Sequence, residues 1–209
     1  MSDDHHDHSH PLNPDEEHTL GYYGIMEIAV RELLIEQDVI SQQDVRAGLE
    51  ALDKGDAALG ARVVARAWTD DAFKSLLLRD GTKAVSEFGV NMGLADLYAV
   101  ENTPTLHNVV VCTLCSCYPR ALLGLPPDWY KSRHYRARIV REPRSVLEEF
   151  GLSLSDSVEV RVHDSTADLR YLVLPDRPKG TEHLGEGALA DLITRDCMIG
   201  TSIPQPASG

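Results

Sequence analysis

The sequence has no uninterrupted apolar run that approaches the roughly 20 residues of a membrane-spanning helix. Its N-terminus, MSDDHHDHSH, lacks the basic and apolar stretches of a secretory signal peptide. Basic residues are outnumbered, because 20 Lys and Arg face 33 Asp and Glu, which gives a formal net charge of −13. An acidic surface of this kind repels phosphate backbones. We therefore expect a cytoplasmic protein that binds neither membrane nor nucleic acid.

Cysteine is also scarce, with four in 209 residues, and three of them stand together in the stretch VVVCTLCSCYPR. Four cysteines with this crowding do not make the disulfide framework of a small secreted domain. In a reducing compartment such a cluster is typical of metal binding or catalysis.

The pattern of apolar residues divides the chain into three parts. Residues 1–21 are rich in His and Asp and poor in apolar side chains, which predicts a disordered tail. Residues 22–100 show helical periodicity and are expected to form either a small bundle or an arm across a partner chain. Residues 101–209 mix strand and helix patterns, which predicts a layered α/β or α+β domain. Because this part contains the cysteine cluster, we expect it to be the metal-binding catalytic domain. The expected fold class is α+β.

Local signals place several elements within these parts. LHNVVVC, SVEVRVHDS and LRYLVLP have the patterns of strands, the second by alternation of valines with polar residues. EPRSVLEEFG and GEGALADLITRD are predicted to be helices. In the helical part, Ser41 is expected to cap a helix together with Asp44, and Gly81 to end another.

Zinc is one candidate for the three thiols. A structural zinc site usually takes four ligands as two separated pairs. Here Cys112 and Cys115 form one C-x-x-C pair, but no second pair follows, and Cys197 has the setting of a buried small hydrophobe. Completion of the site by His134 or His163 remains an alternative.

A dithiol redox site is a second candidate, because CTLC has the C-x-x-C spacing and follows a predicted strand. Cys117 argues against it, since a third thiol on the loop would be a competing disulfide partner. The segment that follows, SCYPRALLGLPP, is also a poor helix start.

A third candidate uses the backbone. The thiolates of Cys115 and Cys117 and the amide nitrogens of Ser116 and Cys117 can close chelate rings around a metal in a square plane. Cys112 can add an axial sulfur, which leaves a sixth position for water or substrate. Thiolates and deprotonated amides suit low-spin trivalent cobalt or iron better than zinc.

VVVCTLCSCYP followed by LGLPPDWYKS resembles the cobalt-type nitrile hydratase alpha subunit family. The resemblance covers most of residues 24–203 and includes EVRVHDSTADLRYLVLP and RDCMIG. The family takes in the thiocyanate hydrolase gamma subunit and the toyocamycin nitrile hydratase alpha subunit. In it CTLCSC marks cobalt, whereas the iron form has Ser in place of Thr113. The resemblance implies that non-corrin Co(III) is held by Cys112, Cys115, Ser116 and Cys117.

The same resemblance implies an enzyme that hydrates a nitrile to the amide, with Co(III) as a Lewis acid or as the holder of the attacking water. It implies that Cys115 becomes a sulfinate and Cys117 a sulfenate that acts as nucleophile or base. Asp164 and Arg170 match residues that the family places near the oxidised loop. The fork of donors on Arg170 suits oxygen atoms on sulfur. Without the resemblance, both residues are read as surface charges on strands.

The resemblance also implies partners. These are a beta-type subunit of one or two chains that supplies further arginines, a cobalt-loading activator or chaperone, and a small-molecule nitrile. This chain alone would hold the metal but only part of the pocket. A metal-holding chain that is inactive without its partner is therefore a further alternative.

The sequence departs from the usual pattern at Arg120, where the cobalt hydratases have Trp. In this respect CTLCSCYPR resembles the gamma subunit of thiocyanate hydrolase, which is the alternative function. A guanidinium makes the pocket wall more polar, which favours a polar, nucleoside or anionic substrate over a plain aliphatic nitrile. Arg120 is thus a candidate substrate contact, with an ion pair to an acidic residue as the other interpretation.

Overall fold

The computed structural model of the chain describes residues 21–45, 48, 56–115 and 117–205. It divides the chain into two compact units, one that ends at Ala47 and one that begins at Gly48. The predicted tail lies outside the described residues apart from Gly21. The predicted boundary between residues 100 and 101 falls inside the second unit and stays a prediction.

The described part of the first unit contains the helix α1, Tyr22–Glu36, in which no residue is buried. The predicted capping pair follows it. The amide of Ser41 donates to the Asp44 carboxylate over 2.8 Å, and the amide of Asp44 donates to Ser41 Oγ over 3.1 Å. These two reciprocal bonds confirm the capping box.

From Ala57 onwards, the described part of the second unit has three helices capped by aspartates. They are α2, Ala57–Thr69, α3, Asp71–Arg79, and α4, Gly81–Ser86. The prediction that Gly81 ends a helix is wrong, because Gly81 is the first residue of α4. A Cβ at Gly81 would lie 2.4 Å from the carbonyl oxygen of Leu97, so close packing against the backbone requires glycine here.

Among the described residues, four strands form two parallel pairs. β1, Asp96–Glu101, pairs with β4, Leu169–Leu174, and β2, Leu106–Val111, pairs with β3, Glu159–Asp164. The predictions of β2, β3 and β4 are confirmed. β1 falls within the part of the chain that was predicted to be helical, so it corrects that expectation.

Six further short helices lie between residues 117 and 205 of the second unit. They are α5, Arg120–Leu123, α6, Asp128–Lys131, α7, Arg133–Arg138, α8, Pro143–Glu149, α9, Glu186–Ala190, and α10, Arg195–Ile199. The expectation that SCYPRALLGLPP does not begin a helix is wrong, since it contains α5. The predicted closing helix is divided into α9 and α10, and the Thr194 side chain caps the second of them.

The core of this unit lies between the strands and the helices α2 and α10. All of Val109–Val111 is buried, as are Val63, Val64 and Met198. β2 also contacts α10, and α2 contacts α5, α9 and α10. The α+β fold class is confirmed. Among the described residues, no helix combines the length and apolarity needed to cross a membrane.

Candidate metal centre

The cysteine loop begins where β2 ends. β2 and β3 run parallel with Val111 opposite Asp164, so their carboxyl ends lie at the same edge. Ser165, just beyond β3, donates its amide to the carbonyl of Val111 over 2.7 Å. Cys112 follows directly and is fully buried. The parallel register therefore brings Asp164 beside the first residues of the loop.

The three thiols of the loop form one group. The Sγ atoms of Cys112 and Cys115 are 3.3 Å apart, and those of Cys115 and Cys117 are 3.1 Å apart. All three lie within 4.8 Å of one another. In the described part of the chain, no His, Asp or Glu joins this group. Three sulfur donors suit a soft or trivalent transition metal better than a hard divalent cation.

The Cys117 thiol is a poor acid in its surroundings. Burial, together with its hydrogen bond to Cys115, raises the pKa of Cys117 to about 12, although the positive charge of Arg170 opposes the shift. The thiol is therefore protonated at neutral pH unless a cation takes the place of the proton, and a coordinated metal ion does this. The donor set fits a thiolate-bound metal on these grounds.

Asp164 fastens the start of the loop. Its carboxylate accepts a hydrogen bond from the amide of Thr113 at 2.9 Å and another from the Thr113 hydroxyl at 2.5 Å. Asp164 thus contacts the loop rather than the sulfur atoms, as the parallel register requires. The predicted catalytic role of Asp164 stays a prediction.

Two side chains that the sequence analysis did not single out hold the rest of the loop. Tyr130 is fully buried and donates its hydroxyl to the carbonyl of Cys117 over 2.9 Å. Burial raises the pKa of Tyr130 above its ordinary value, so the hydroxyl stays protonated and able to donate. Arg136 donates from Nη1 to the carbonyl of Cys115 over 2.7 Å.

A cluster of aromatic rings supports these contacts. Trp129 lies 4.9 Å from Tyr135 and 4.7 Å from Phe150 between ring centroids. The Tyr135 hydroxyl donates to the carbonyl of Val110, one residue before the end of β2. The dense aromatic and basic stretch DWYKSRHYRAR was the signal in the sequence for this support, but nothing local showed which partners its side chains bind.

Arg120 and Arg170 line one cavity next to the loop. It has a volume of about 350 Å³, and its wall also includes Asn91, Met92 and Tyr118. Arg120 is the first residue of α5. The structure therefore brings together the two arginines that the sequence analysis proposed around the site.

The contacts of Arg170 differ from those expected. Its Nη1 atom donates to the carbonyls of Thr166, Ala167 and Leu169, which belong to the turn before β4 and to the strand itself. Its charge nonetheless acts on Cys117, as the opposing effect on the thiol pKa shows. Arg170 thus contributes positive charge near the loop while it stabilises the turn beside it.

The histidine alternatives for zinc receive no support from the described residues. His163 Nε2 lies 2.8 Å from Asn108 Oδ1, and His134 Nε2 lies 2.8 Å from Arg138 Nη1. Neither ring belongs to the cysteine group. The predicted ligand Ser116 lies outside the described residues, so its part in the site stays a prediction.

A buried network of hydrogen bonds holds the first residues of β2. Asn102 Oδ1 accepts hydrogen bonds from the amide and from the side chain of Asn108, at 2.7 and 2.9 Å. Asn102 Nδ2 therefore faces His107 Nδ1 at 3.3 Å. Because Nδ2 can only donate, His107 Nδ1 must accept this hydrogen bond. His107 Nε2 then donates to the carbonyl of Gly200 over 2.7 Å. These partners require the neutral ring, and burial lowers the pKa of His107 accordingly.

Comparison with known proteins places this geometry in a family. The chain is 58% identical over 151 residues to the low-molecular weight cobalt-containing nitrile hydratase subunit alpha of Rhodococcus rhodochrous. The aligned region covers 72% of this chain and 73% of that protein. It is 44% identical over 196 residues to the thiocyanate hydrolase subunit gamma of Thiobacillus thioparus, with 88% and 81% covered.

Solved structures agree with the sequence comparisons. A recombinant thiocyanate hydrolase with partially modified cobalt centres superposes with a TM-score of 0.81 at 44% identity, over 90% of this chain and 92% of that one. A double mutant of the Fe-type nitrile hydratase from Comamonas testosteroni Ni1 gives 0.74 at 44% identity, over 88% and 97%. Residues 22–202 match the family model described as nitrile hydratase, alpha chain. The chain therefore belongs to the nitrile hydratase alpha chain family.

Proposed function

We propose that this chain is the metal-bearing alpha subunit of a cobalt nitrile hydratase, which converts a nitrile into the amide. The observation that supports this most is the group of three cysteine sulfurs at the end of β2, in a chain related to cobalt-containing subunits. Cys112, Cys115 and Cys117 would hold non-corrin Co(III) through sulfur. The amides of Ser116 and Cys117 would complete the protein's share of the ligands. When bound, Co(III) would supply a Lewis acid at the cysteine loop.

The residues of the chain have separate parts in this proposal. Cys117, oxidised to a sulfenate by molecular oxygen, would take a proton from the attacking water on its oxygen atom. The water oxygen then joins the nitrile carbon, and both water protons end on nitrogen, which gives the amide. Arg170 would keep positive charge beside the Cys117 oxygen, and Asp164 would hold the loop through Thr113.

Arg120 supports a polar substrate for the same reaction. It shares the cavity of about 350 Å³ with Arg170, so two guanidinium groups line the space in which a substrate would lie. Guanidinium groups donate several hydrogen bonds and attract negative charge. A polar nitrile, such as a nucleoside nitrile, is therefore the proposed substrate class.

The same two arginines favour a second candidate, hydrolysis of thiocyanate. Thiocyanate is an anion, and the two guanidinium groups of the cavity would stabilise it. The likeness to a thiocyanate hydrolase subunit gamma over 88% of the chain points in the same direction.

Partner subunits are part of the proposal as well. The relatives are named as subunits, and we propose that a beta-type chain completes the pocket here. A cobalt-loading activator would deliver the metal. If the pocket needs the partner, the isolated chain will hold cobalt but show no hydration.

The test is co-expression with a beta-type subunit and an activator in cobalt medium, followed by elemental analysis. We expect about one cobalt per chain, and loss of cobalt from the Cys115→Ala and Cys117→Ala variants. Cys197→Ala is the matched control, because this cysteine is buried in α10 outside the group and its loss should leave cobalt bound. Full occupancy by zinc in cobalt medium, unaffected by the first two changes, would contradict the metal assignment.

The loaded complex is then assayed with organic nitriles and with thiocyanate. Amide formation from nitriles supports the first proposal. Activity on thiocyanate alone would replace it by the second. Activity of the complex but not of the isolated chain would assign the missing part of the pocket to the partner.

A further inference from the structure

Arg136 binds the cysteine loop on a carbonyl that neither the ligand set nor the substrate cavity uses. Its Nη1 atom is 2.7 Å from the carbonyl oxygen of Cys115. Its Nε atom is buried and donates no hydrogen bond to the described residues. Among those residues, no carboxylate forms an ion pair with it. Among the described residues, the polar partner of Arg136 is therefore the carbonyl of Cys115, in the loop that would hold the metal.

A neighbour on the same helix pairs with carboxylates instead. Arg138, two residues further along α7, pairs with Glu142 and Glu149 at 2.7 Å each. In a chain with a formal charge of −13, carboxylates are abundant, and Arg138 uses two of them. Arg136 instead directs its charge to a backbone carbonyl.

The position of Arg136 is fixed by its neighbours. Tyr135 is 3% exposed and binds the carbonyl of Val110 over 2.7 Å, which anchors α7 to β2 immediately before the loop. Tyr130, from α6, binds the carbonyl of Cys117. The segment from α6 to α7 therefore contacts the strand and the loop at three carbonyls, those of Val110, Cys115 and Cys117. Of these three contacts, the one from Arg136 carries charge.

We propose that Arg136 is a positioning residue that orients the peptide between Cys115 and Ser116 and offsets negative charge on the loop. The inference rests on the proposed function, in which three sulfurs and two amides bind cobalt. In a planar trans peptide the carbonyl oxygen and the amide nitrogen's substituent point to opposite sides. A donor that holds the Cys115 oxygen therefore sets the direction of the amide nitrogen that follows.

The charge of Arg136 acts on the same peptide. Resonance shares electron density between the nitrogen and the oxygen of a peptide unit. When the nitrogen binds a metal as an anion, part of its negative charge resides on the oxygen. A guanidinium on that oxygen then stabilises the metal-bound form, as charge-assisted hydrogen bonds do. Contacts of this kind beyond the ligands typically change metal affinity by about 10- to 100-fold.

The experiment compares Arg136→Met and Arg136→Lys with Arg133→Met in the full complex expressed with cobalt. Arg133 lies on the same helix and is exposed, so it controls for the loss of a cation near the site. We would measure the cobalt content per chain during competition with a chelator and the sulfur-to-cobalt charge-transfer absorption bands. Circular dichroism would show whether each variant is folded. We expect Arg136→Met to bind cobalt about tenfold or more weakly with shifted absorption. We expect Arg136→Lys to recover part of the loss and Arg133→Met to match the wild type.

The outcomes separate this inference from the proposed function. Absence of cobalt from the wild-type complex would remove the proposed function itself. A wild type and an Arg136→Met variant with equal cobalt affinity and the same spectrum would overturn the role of Arg136 alone. If Arg136→Met does not fold, Arg136→Gln, which keeps an N–H donor without the charge, is judged by the same criterion. Failure of both to fold would assign Arg136 to the fold and overturn the proposal.

Discussion

Thr113 and Asp164 are joined by two hydrogen bonds, one from the Thr113 amide at 2.9 Å and one from its hydroxyl at 2.5 Å. Thr113 stands between the first two cysteines, and Asp164 is the last residue of β3. The two residues are far apart in the chain and meet because β2 and β3 are parallel and end together. The pair ties the cysteine loop to the sheet from which it emerges.

Asp164→Asn should weaken the contact between Thr113 and residue 164, although Asn has nearly the same size and shape as Asp. The amide carries no negative charge, and its nitrogen, facing the Thr113 hydroxyl, would donate to that oxygen rather than accept from it, so both charge-assisted bonds become neutral ones. The contact is exposed to solvent, so we expect a loss of about 1 kcal/mol in the free energy of unfolding. This corresponds to a decrease of about 2–4 °C in the melting temperature. Thermal unfolding and cobalt content of the complex measure the effect.

Asp156→Asn serves as the matched control for this change. Asp156 is an exposed aspartate in the loop before β3, so it precedes the opposite end of the strand from Asp164. The Asp156→Asn variant should have the melting temperature and cobalt content of the wild type. Equal behaviour of the Asp156 and Asp164 variants would mean that the bonds to Thr113 do not stabilise the loop.

Oxidation should follow the exposure of the cysteines. Cys115 is exposed and Cys117 half-buried, whereas Cys112 and Cys197 are buried. In active cobalt-loaded complex we therefore expect oxygen atoms on Cys115 and Cys117 but not on the other two, since oxidation requires access. Peptide mass spectrometry reads all four residues in one sample, with Cys197 as the internal control. A fully active complex with every cysteine reduced would eliminate the proposed sulfenate.

Arg120→Trp should change substrate preference and leave the metal in place. If the guanidinium binds a polar substrate, its loss should cost about 1.5–3 kcal/mol, the magnitude of a hydrogen bond to a charged group. The specificity constant kcat/KM for polar nitriles should then fall by roughly ten- to a hundredfold relative to aromatic or aliphatic nitriles.

Cobalt analysis of the same variant distinguishes the interpretations of Arg120. Unchanged cobalt with a shifted substrate ratio supports contact with substrate. Loss of cobalt would assign Arg120 to support of the metal loop. If neither cobalt nor the ratio changes, Arg120 is peripheral and the argument for a polar substrate fails.

The buried His107 should make the fold sensitive to acid. Burial holds the pKa of His107 below its usual value of 6.5, so the unfolded chain binds a proton that the folded chain does not. The contribution of neutral His107 to the free energy of unfolding is therefore fully present above about pH 6.5. Below that pH it decreases by up to about 1.4 kcal/mol per pH unit. His163, whose pKa is also lowered by burial, acts in the same direction.

Denaturant unfolding at pH 7.5 and 5.5 tests this dependence. His107→Gln should lower stability at the higher pH, because the bonds to Asn102 and Gly200 are disturbed, and should also reduce the loss between the two pH values. His134→Gln, at an exposed position, should retain the wild-type dependence. A His107 variant that loses as much stability on acidification as the wild type would contradict the assignment.

Local patterns in the sequence were sufficient for several elements of the fold. The alternating valines of β3 and the apolar run of β2 were predicted at their observed places, and so was the helix α8 with Pro143 near its start. These features depend on residues close together in the chain. The spacing of Cys112, Cys115 and Cys117 belongs to the same class, since thiols so close along one loop can share a metal whatever surrounds them.

Other elements depended on partners far along the chain. β1 was missed because its partner is β4, and parallel pairing between distant segments leaves little local signal. Gly81 was assigned to a helix end because glycine commonly stands there. Its actual reason is the carbonyl of Leu97, which leaves no room for a Cβ.

By itself, the sequence determined the thiol cluster, the strand before it and the family resemblance, because these depend on short spacing and local periodicity. Tertiary structure alone decided what holds the cluster. Asp164 meets Thr113 through strand register, and Arg136 meets Cys115 because aromatic packing fixes its helix. Hydrogen bonds between distant residues depend on how the whole unit packs, and the identities of the residues do not specify them in advance.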